Sequence, residues 1–437
     1  MISSIIFLFL LGTGVWFFAR SVKTIARNIR LGRDIEISDR KAERWKNMAM
    51  VALGQSKMVS RPVAGFFHIL IYAGFIIINI EVLEILIDGI FGTHRVFAGL
   101  LGSTYDLLIG SFEVLALLVI VACVVFILRR NVVRLARFQS PELKGFPSKD
   151  ASIILVSEII LMSAFLLMNA ADQLLQDADM PHYIKAGSFP VSSALTPLIS
   201  GIHPESLVVM ERFCWWFHIA GILAFLNYVP YSKHFHIILA FPNTWYANLN
   251  PKGQFTNNES VTTEVKLMLD PSAVPPTGDG SAPQRFGAKD VRDLTWKQLM
   301  DAYSCTECGR CTSSCPANIT GKKLSPRKVM MDTRDRLEEV GRNIDDHGDT
   351  YDDGKSLLND YITTEELWAC TTCNACVEAC PVNIDPLSII VEMRRYMVME
   401  QSAAPAEING MFTKIENNGA PWQFSPADRM NWTEQSS

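Results

Sequence analysis

The sequence predicts an all-α integral membrane protein in two parts: a five-helix domain, then a mainly α-helical domain organised around cysteines. Three observations predict it. Long apolar runs crowd the first half of the 437 residues, eight of the ten cysteines sit in two repeated motifs in the second half, and the charge reverses between the halves. Residues 1–250 hold 21 Lys/Arg against 17 Asp/Glu, whereas residues 251–437 hold 19 against 28. An acidic second half argues against nucleic acid as a partner.

The apolar runs are Ile2–Ala19, Val63–Ile87, Leu107–Leu128, Ala151–Leu175 and Leu207–Tyr228. Each approaches or exceeds the ~20 residues that a helix needs to cross the hydrocarbon core. Five in one small region are too many for the buried helices of a soluble core. Lys/Arg placement sets their orientation. Segments Arg20–Arg61 and Arg129–Asp150 carry 11 and 6 basic residues, against one each, Arg95 and Lys185, in Asp88–Asp106 and Gln176–Ser206. The N-terminus is therefore expected outside and the second half in the cytoplasm, with the helices in the inner (cytoplasmic) membrane. The basic residues of the first run follow it, unlike those of a signal peptide.

A histidine within a membrane helix is costly and tends to be functional. His68 falls early in the second run, ~10 Å from the edge marked by Arg61 at 1.5 Å per residue. His218 lies in the fifth, and His236 follows 18 residues later. That is five helical turns, which puts the two on one face ~27 Å apart if the helix persists. Same-face histidines at opposite depths suit b-type haems, whose iron takes two axial ligands. His234, two residues from His236, is expected to face elsewhere. His94, His182 and His203 in outer loops, and His347 in an acidic stretch, read as solvated surface residues.

Ala247–Phe286, with Pro271, Pro275, Pro276 and Pro283, reads as a linker laid over the surface. Asp290–Ala302 has helical apolar spacing (Val291, Leu294, Leu299) and leads into Cys305-x2-Cys308-x2-Cys311-x3-Cys315-Pro316. The pattern recurs as Cys370-x2-Cys373-x2-Cys376-x3-Cys380-Pro381. This is the bacterial ferredoxin pattern for [4Fe–4S] clusters. Three closely spaced thiolates wrap one cubane from a short loop, and the fourth, before proline, ligates the other cluster. One cluster is thus expected on Cys305, Cys308, Cys311 and Cys380, and the second on Cys370, Cys373, Cys376 and Cys315. Zinc favours two cysteine pairs without this ending, and disulfides need an oxidising compartment. The charged stretch Asp332–Glu366 reads as helices around a polar loop, either a solvated face or a docking surface. Pro386–Gln401 reads as a closing helix and the rest as a polar tail.

These residues carry a resemblance. Phe67-His68-Ile69, and the His218 to His236 pair with Pro230-x-Ser232 between, make residues 1–245 similar to the gamma subunit of respiratory nitrate reductase, a five-helix protein that binds b-type haem. In that family the second helix usually carries two histidines ten residues apart, but the second position here is Ile78. The resemblance implies an inner haem held by His68 and His236 and leaves an outer haem with His218 alone. Leu294-Thr295-Trp296-Lys297-Gln298-Leu299, Tyr303 to Cys311 and Glu366 to Cys373 extend the likeness. They resemble membrane-bound iron–sulfur oxidoreductases that fuse such a helical domain to a two-[4Fe–4S] ferredoxin-like domain. The electron-transfer flavoprotein:menaquinone oxidoreductases, related to heterodisulfide reductase, are the group implied. The expected organisation is a haem b membrane domain over 1–246, a linker over 247–286, the two-cluster domain over 287–400 and a tail over 401–437. Family members commonly continue into Cys-Cys-Gly repeats. No cysteine follows Cys380, so a cysteine-rich module is expected on a cytoplasmic partner subunit, or to be absent.

The resemblance implies an oxidoreductase subunit that passes electrons from a cytoplasmic donor, such as electron-transfer flavoprotein, through the clusters and haem to membrane menaquinone. The reverse flow, from quinol to a heterodisulfide-reductase-like enzyme, and a non-catalytic anchor are the alternatives. Quinone chemistry also needs protons, and carboxylates are expensive in a bilayer. Glu113, ~10 Å along its helix from Asp106, is expected near a quinone pocket or proton path as the catalytic residue. Glu158 lies in the fourth run, and Glu81 and Glu84 either serve a relay or reach the headgroups.

Overall fold

The computed structural model describes residues 2–270, 272 and 285–434. Pro271, Pro275, Pro276 and Pro283 of the expected linker lie outside the described residues. The described chain is helical without a strand, with only two isolated bridges. Five helices are long and apolar enough to cross a membrane: α1 (Ile2–Ile29), α2 (Pro62–Phe91), α3 (Thr104–Asn131), α4 (Phe146–Asp177) and α5 (Pro204 onward to Tyr228). Each contains one of the predicted runs, so the five-helix architecture is borne out.

Local chemistry sets the ends of these helices. Pro62 and Pro204 open α2 and α5 at the first turn, where a missing N–H costs nothing. Gly92 closes α2 at φ 70°, a left-handed conformation that a side chain disfavours. Each helix packs against its neighbours in the chain, and α1 packs against α5, so the five close into a ring. Close approach needs glycine at two crossings. A Cβ at Gly89 would lie 2.7 Å from the Phe7 ring, and one at Gly221 would lie 2.6 Å from Leu161. Outward-facing Ile2, Phe9 and Leu107 are 76–78 % exposed, a surface that suits lipid and not water.

The cysteine half packs on the end of the ring that carries the basic segments. Its framework is α7 (Trp296–Tyr303), α9 (Pro326–His347) and α11 (Pro386–Met399), with short α8 (Arg310–Ser314) and α10 (Ala375–Ala379) beside the cysteines; α6 (His236–Trp245) leads in from the ring. α7 starts six residues after Asp290, later than the sequence reading placed it. Thr295 caps it and Gln298 returns the bond, a reciprocal cap that defines the first turn. Leu294, Leu299 and Leu367 are fully buried in one core shared with Ile25 and Phe235 of the helical half. Each such leucine is worth roughly 1.5–3 kcal/mol.

The two halves form one body. Arg27 reaches Asp345 and the Gly341 carbonyl, and Asn28 bonds Tyr303 at 3.0 Å. Arg33 and residues 294–296 exchange two backbone hydrogen bonds. Arg327, fully buried, donates to Glu142 and the Arg137 carbonyl. The segment after α6 is not all coil, because Glu259–Leu269 is helical behind an Asn258 cap. Charges of the 332–366 stretch are used inside the fold. Arg336 bonds Asp290, Asp353 and Glu339, which makes part of that stretch a structural ion network, while Asp345, Asp346, Asp349 and Asp352 stay exposed.

Candidate metal centres

The two cysteine motifs fold alike. Glu307 and Thr372, each just before the second cysteine, have φ of 53° and 55°, and Gly309 and Asn374, each just after it, have 69° and 59°. These left-handed steps curl both loops so that successive cysteines turn inward, and α8 or α10 then starts on the far side of the curl. Gly309 is needed for a second reason. A Cβ there would lie 2.4 Å from the Arg327 guanidinium.

The structure brings the fourth cysteine of each motif to the other loop. Cys315 lines one small pocket together with Cys370, Cys373 and Cys376. The charges of Cys308, Cys305 and Cys380 act on Cys311, followed by that of Cys376. Burial pushes the Cys305 and Cys380 thiols up to about 12 and raises Cys370, Cys376 and Cys311. Buried thiols that face one another resist ionisation unless an iron core receives them. Backbone N–H groups already point at sulfur, Thr372 N to Cys370 Sγ at 3.4 Å and Ile384 N to Cys380 Sγ at 3.3 Å. The donor set therefore fits two four-thiolate clusters.

Cations crowd the first site. Lys57 donates to the Cys380 carbonyl at 3.3 Å, and Arg310 donates to the Lys57 carbonyl at 2.8 Å. Arg137 interacts with the charge of Cys308, its Nε is buried without a hydrogen-bond partner, and burial lowers its guanidinium to about 10. At the second site Arg394 donates to the Cys370 carbonyl at 2.6 Å and lies over Trp368.

The helix does not persist from His218 to His236. Pro230 cannot donate a backbone bond, so α5 ends at Tyr228 and two short 3₁₀ turns precede α6. The expected shared face is thus overturned. Asp150 holds the loop in place by accepting from Tyr228 and Ser232 hydroxyls at 2.6 Å and from Lys233 N at 3.2 Å. His236 Nδ1 donates to the Lys233 carbonyl at 2.9 Å, which leaves Nε2 with its lone pair. His68, whose Nδ1 is buried without a partner, interacts electrostatically with His236 and with Arg310. The two imidazoles thus lie within electrostatic range of each other, each with a ring nitrogen that no protein group engages. His234 does not face elsewhere. Its ring packs edge-on against His236 at 5.6 Å, because a 3₁₀ turn replaces the helix assumed from sequence.

His218 is fully buried, with Nδ1 on the Leu161 carbonyl at 3.0 Å and Nε2 unpartnered. Gly221 permits that approach. Position 78, where a second imidazole would sit, is a buried isoleucine.

Glu113 is fully buried and accepts from Asn169 Nδ2 at 3.1 Å, Val191 N at 2.9 Å and Ser192 N at 3.1 Å. These three donors tie it to the turn that follows α4. Glu81 and Glu84 are buried and do not reach headgroups. Glu84 accepts from Tyr105 and Phe97 N, whereas Glu81 Oε2 has no partner. Arg95, read from sequence only as a loop charge, is buried and bonds Asp172, Tyr105 and Asn169. His94 likewise is buried against Asp172 and is not a solvated loop residue.

Comparison with known proteins agrees with this layout. A family described as a 4Fe-4S dicluster domain matches residues 304–384. The chain is 28 % identical to a probable iron-sulfur-binding oxidoreductase FadF of Bacillus subtilis, over 99 % of this chain and 61 % of that protein. It is 28 % identical to an EtfAB:quinone oxidoreductase of Syntrophomonas wolfei, over 92 % and 55 %. A probable membrane-anchored ferredoxin of Chromohalobacter salexigens is 33 % identical over 35 % of this chain and 25 % of its own length. The chain thus spans about six-tenths of the length of the first two relatives. No solved structure gives a significant match. The chain is therefore related over nearly its whole length to proteins named as iron–sulfur and quinone oxidoreductases, and residues 304–384 within it are a 4Fe-4S dicluster domain.

Proposed function

We propose that this chain is a membrane-anchored oxidoreductase subunit that passes electrons from a cytoplasmic donor to menaquinone. In this reading Cys305, Cys308, Cys311 and Cys380 hold one [4Fe–4S] cluster, Cys370, Cys373, Cys376 and Cys315 hold the other, and His68 with His236 holds a b-type haem. Each of these groups supplies one-electron storage when bound. The observation that carries the reading is the continuity of the protein between them. The His236 loop and the Cys305–Cys308 loop are joined by Lys233 and Glu307.

The chain's own residues supply the rest. Exposed Cys373, flanked by uncharged Thr371, Thr372 and Asn374, presents the second site to a donor at the surface. The donor read from the relatives' names is an electron-transfer flavoprotein, acting through a partner subunit with the cysteine-rich module. The Lys233 carbonyl fixes the His236 tautomer so that Nε2 keeps the lone pair that would ligate a haem iron. Quinone reduction takes up protons, and Glu81, with one carboxylate oxygen unpartnered among Glu84, Asp88, Arg95 and Asp172, is suited to carry one.

The test is anaerobic reconstitution of the purified chain in vesicles containing menaquinone. About eight cluster irons per chain are expected, along with a low-spin haem that stoichiometric dithionite reduces and added quinone reoxidises. Intact cofactors that never exchange electrons with quinone would sink the reading and favour an anchor.

A further inference from the structure

We propose that Lys57, Arg137 and Arg310 form a cationic collar that makes the Cys305/Cys308/Cys311/Cys380 centre the more oxidising of the two, drawing electrons toward the membrane. The inference rests on the proposed cluster assignment and adds a direction to it.

None of the three cations has a carboxylate within ion-pair distance among the described residues. Lys57 spends its ammonium on the Glu378 and Cys380 carbonyls, at 3.4 and 3.3 Å. Arg310, 4 % exposed, spends its guanidinium on the Lys57 and Met58 carbonyls and Ser60 Oγ. Arg137 stacks on Phe138 at 4.8 Å. Elsewhere in this half, buried cations are matched. Arg336 has three carboxylates, Arg327 has Glu142, and Lys297 has Asp301. Arg310 is buried and Lys57 and Arg137 are half-buried; a charge withdrawn from water without a partner is expensive, so the three together mark the place of an anion. Four thiolates around an iron–sulfur core are one. The sulfurs reached are those of a single site: Cys380 by Lys57 and Arg310, and Cys308 by Arg310 and Arg137.

The second site lacks this excess. Arg394 acts on Cys370, but Asp385 acts on Cys376 with the opposite sign. Glu307, the carboxylate nearest Cys305, is already matched by Lys233 and Arg334, so it does not cancel the collar. Reduction adds one negative charge to a cluster, and fixed positive charge favours the reduced form. Exposure of Cys373 also favours reduction at the second site, through solvent. Three unmatched charges in a poorly solvated setting outweigh one exposed loop, because charge interactions strengthen as solvent is excluded. One electron then leaves the second cluster, oxidising it, and reduces the first, with no bond made or broken. Arg310 also lies within electrostatic range of His68.

The test is a potentiometric EPR titration of the full-length protein, with each signal assigned by its perturbation in Cys308→Ser or Cys373→Ser. In the wild type the signal assigned to Cys308 should have the higher midpoint. Lys57→Met and Arg310→Gln should each cut its reduced-to-oxidised ratio at fixed potential by ~10-fold, equal to ~59 mV for one electron, and leave the other signal in place. Arg394→Gln should shift only the signal assigned to Cys373. If Arg310→Gln fails to fold, Lys57→Met, at a half-exposed position, decides the matter. Equal midpoints in the wild type, or collar variants that move neither signal or both, would overturn the collar. Absence of any cluster signal would instead overturn the cluster assignment itself.

Discussion

Lys233 and Glu307 form an ion pair, 11 % and 3 % exposed at their side chains, that joins the loop bearing His234 and His236 to the loop bearing Cys305 and Cys308. Neither is isolated. Lys233 also donates to the Pro147 carbonyl at 2.6 Å, and Glu307 also accepts from Arg334 at 3.0 Å. Two positive groups hold the Glu307 carboxylate ionised against a burial that opposes it. The pair therefore works as a rivet between two segments 74 residues apart.

Removing one side of a buried pair costs up to ~3–5 kcal/mol when the other charge is left alone, and less here because Arg334 still faces Glu307. Lys233→Met should lower the thermal midpoint of the purified protein. It should also broaden both the haem band and the signal of the Cys305 centre, since both loops lose their register. Lys233→Met combined with Glu307→Gln should recover part of the stability. If the double variant is no better than the single, the pair is not what holds the loops.

The crossed cysteines give a second expectation. Cys315→Ser should damage the centre of Cys370, Cys373 and Cys376, and Cys380→Ser the centre of Cys305, Cys308 and Cys311, as read by EPR of the reduced protein. Loss confined to the centre of the same motif would mean each loop keeps its own fourth ligand.

Much of this was legible in the sequence, for identifiable reasons. Long apolar runs have one physical solution, so all five spans fall within the helices found. The cysteine spacing dictates a curl, and Cys315 comes to lie beside Cys370, Cys373 and Cys376 of the other loop. The histidine loop was not legible. A period of 3.6 was extended through Pro230, and the break repositions His234 beside His236. Pro230 and Ser232 were the available signal, since Pro cannot donate and Ser232 Oγ caps the next turn by accepting from His234 N. Buried charges escaped as well. Arg95 and His94 sit in a stretch that reads as a loop, and only packing shows that Asp172 from α4 meets them. Lys57 and Arg310 read as ordinary basic residues until the backbone carbonyls beneath them are seen.

The repositioned His234 makes a third prediction. His68→Ala and His236→Ala should each abolish the low-spin haem spectrum and leave the cluster signals. His234→Ala should keep the haem, because the Lys233 carbonyl orients the His236 ring and not its neighbour. Haem lost in His234→Ala but kept in His236→Ala would transfer the axial role to His234. His218→Ala should leave the haem spectrum unchanged and cost stability alone, through loss of the Leu161 bond.

The carboxylates separate a structural role from a proton-carrying one. In Glu113→Gln the amide nitrogen of the new side chain meets at least one of the Asn169, Val191 or Ser192 donors, each of which needs an acceptor. A buried donor left unmade costs ~1–3 kcal/mol, so this variant should melt earlier than wild type while its folded fraction reduces a soluble quinone analogue at the wild-type rate. Glu81→Gln removes a proton carrier without breaking any hydrogen bond to Oε2, which has none. It should keep the wild-type melting midpoint, haem and clusters, and lose most of the quinone reductase turnover with a reduced donor. Turnover lost in folded Glu113→Gln and retained in Glu81→Gln would return the proton path to Glu113 and make the Glu81 site a packing feature. A Glu81→Asp variant is the decisive companion. It retains an ionisable group in the same cluster, so it should recover part of the turnover that Glu81→Gln loses, which a purely structural role would not produce.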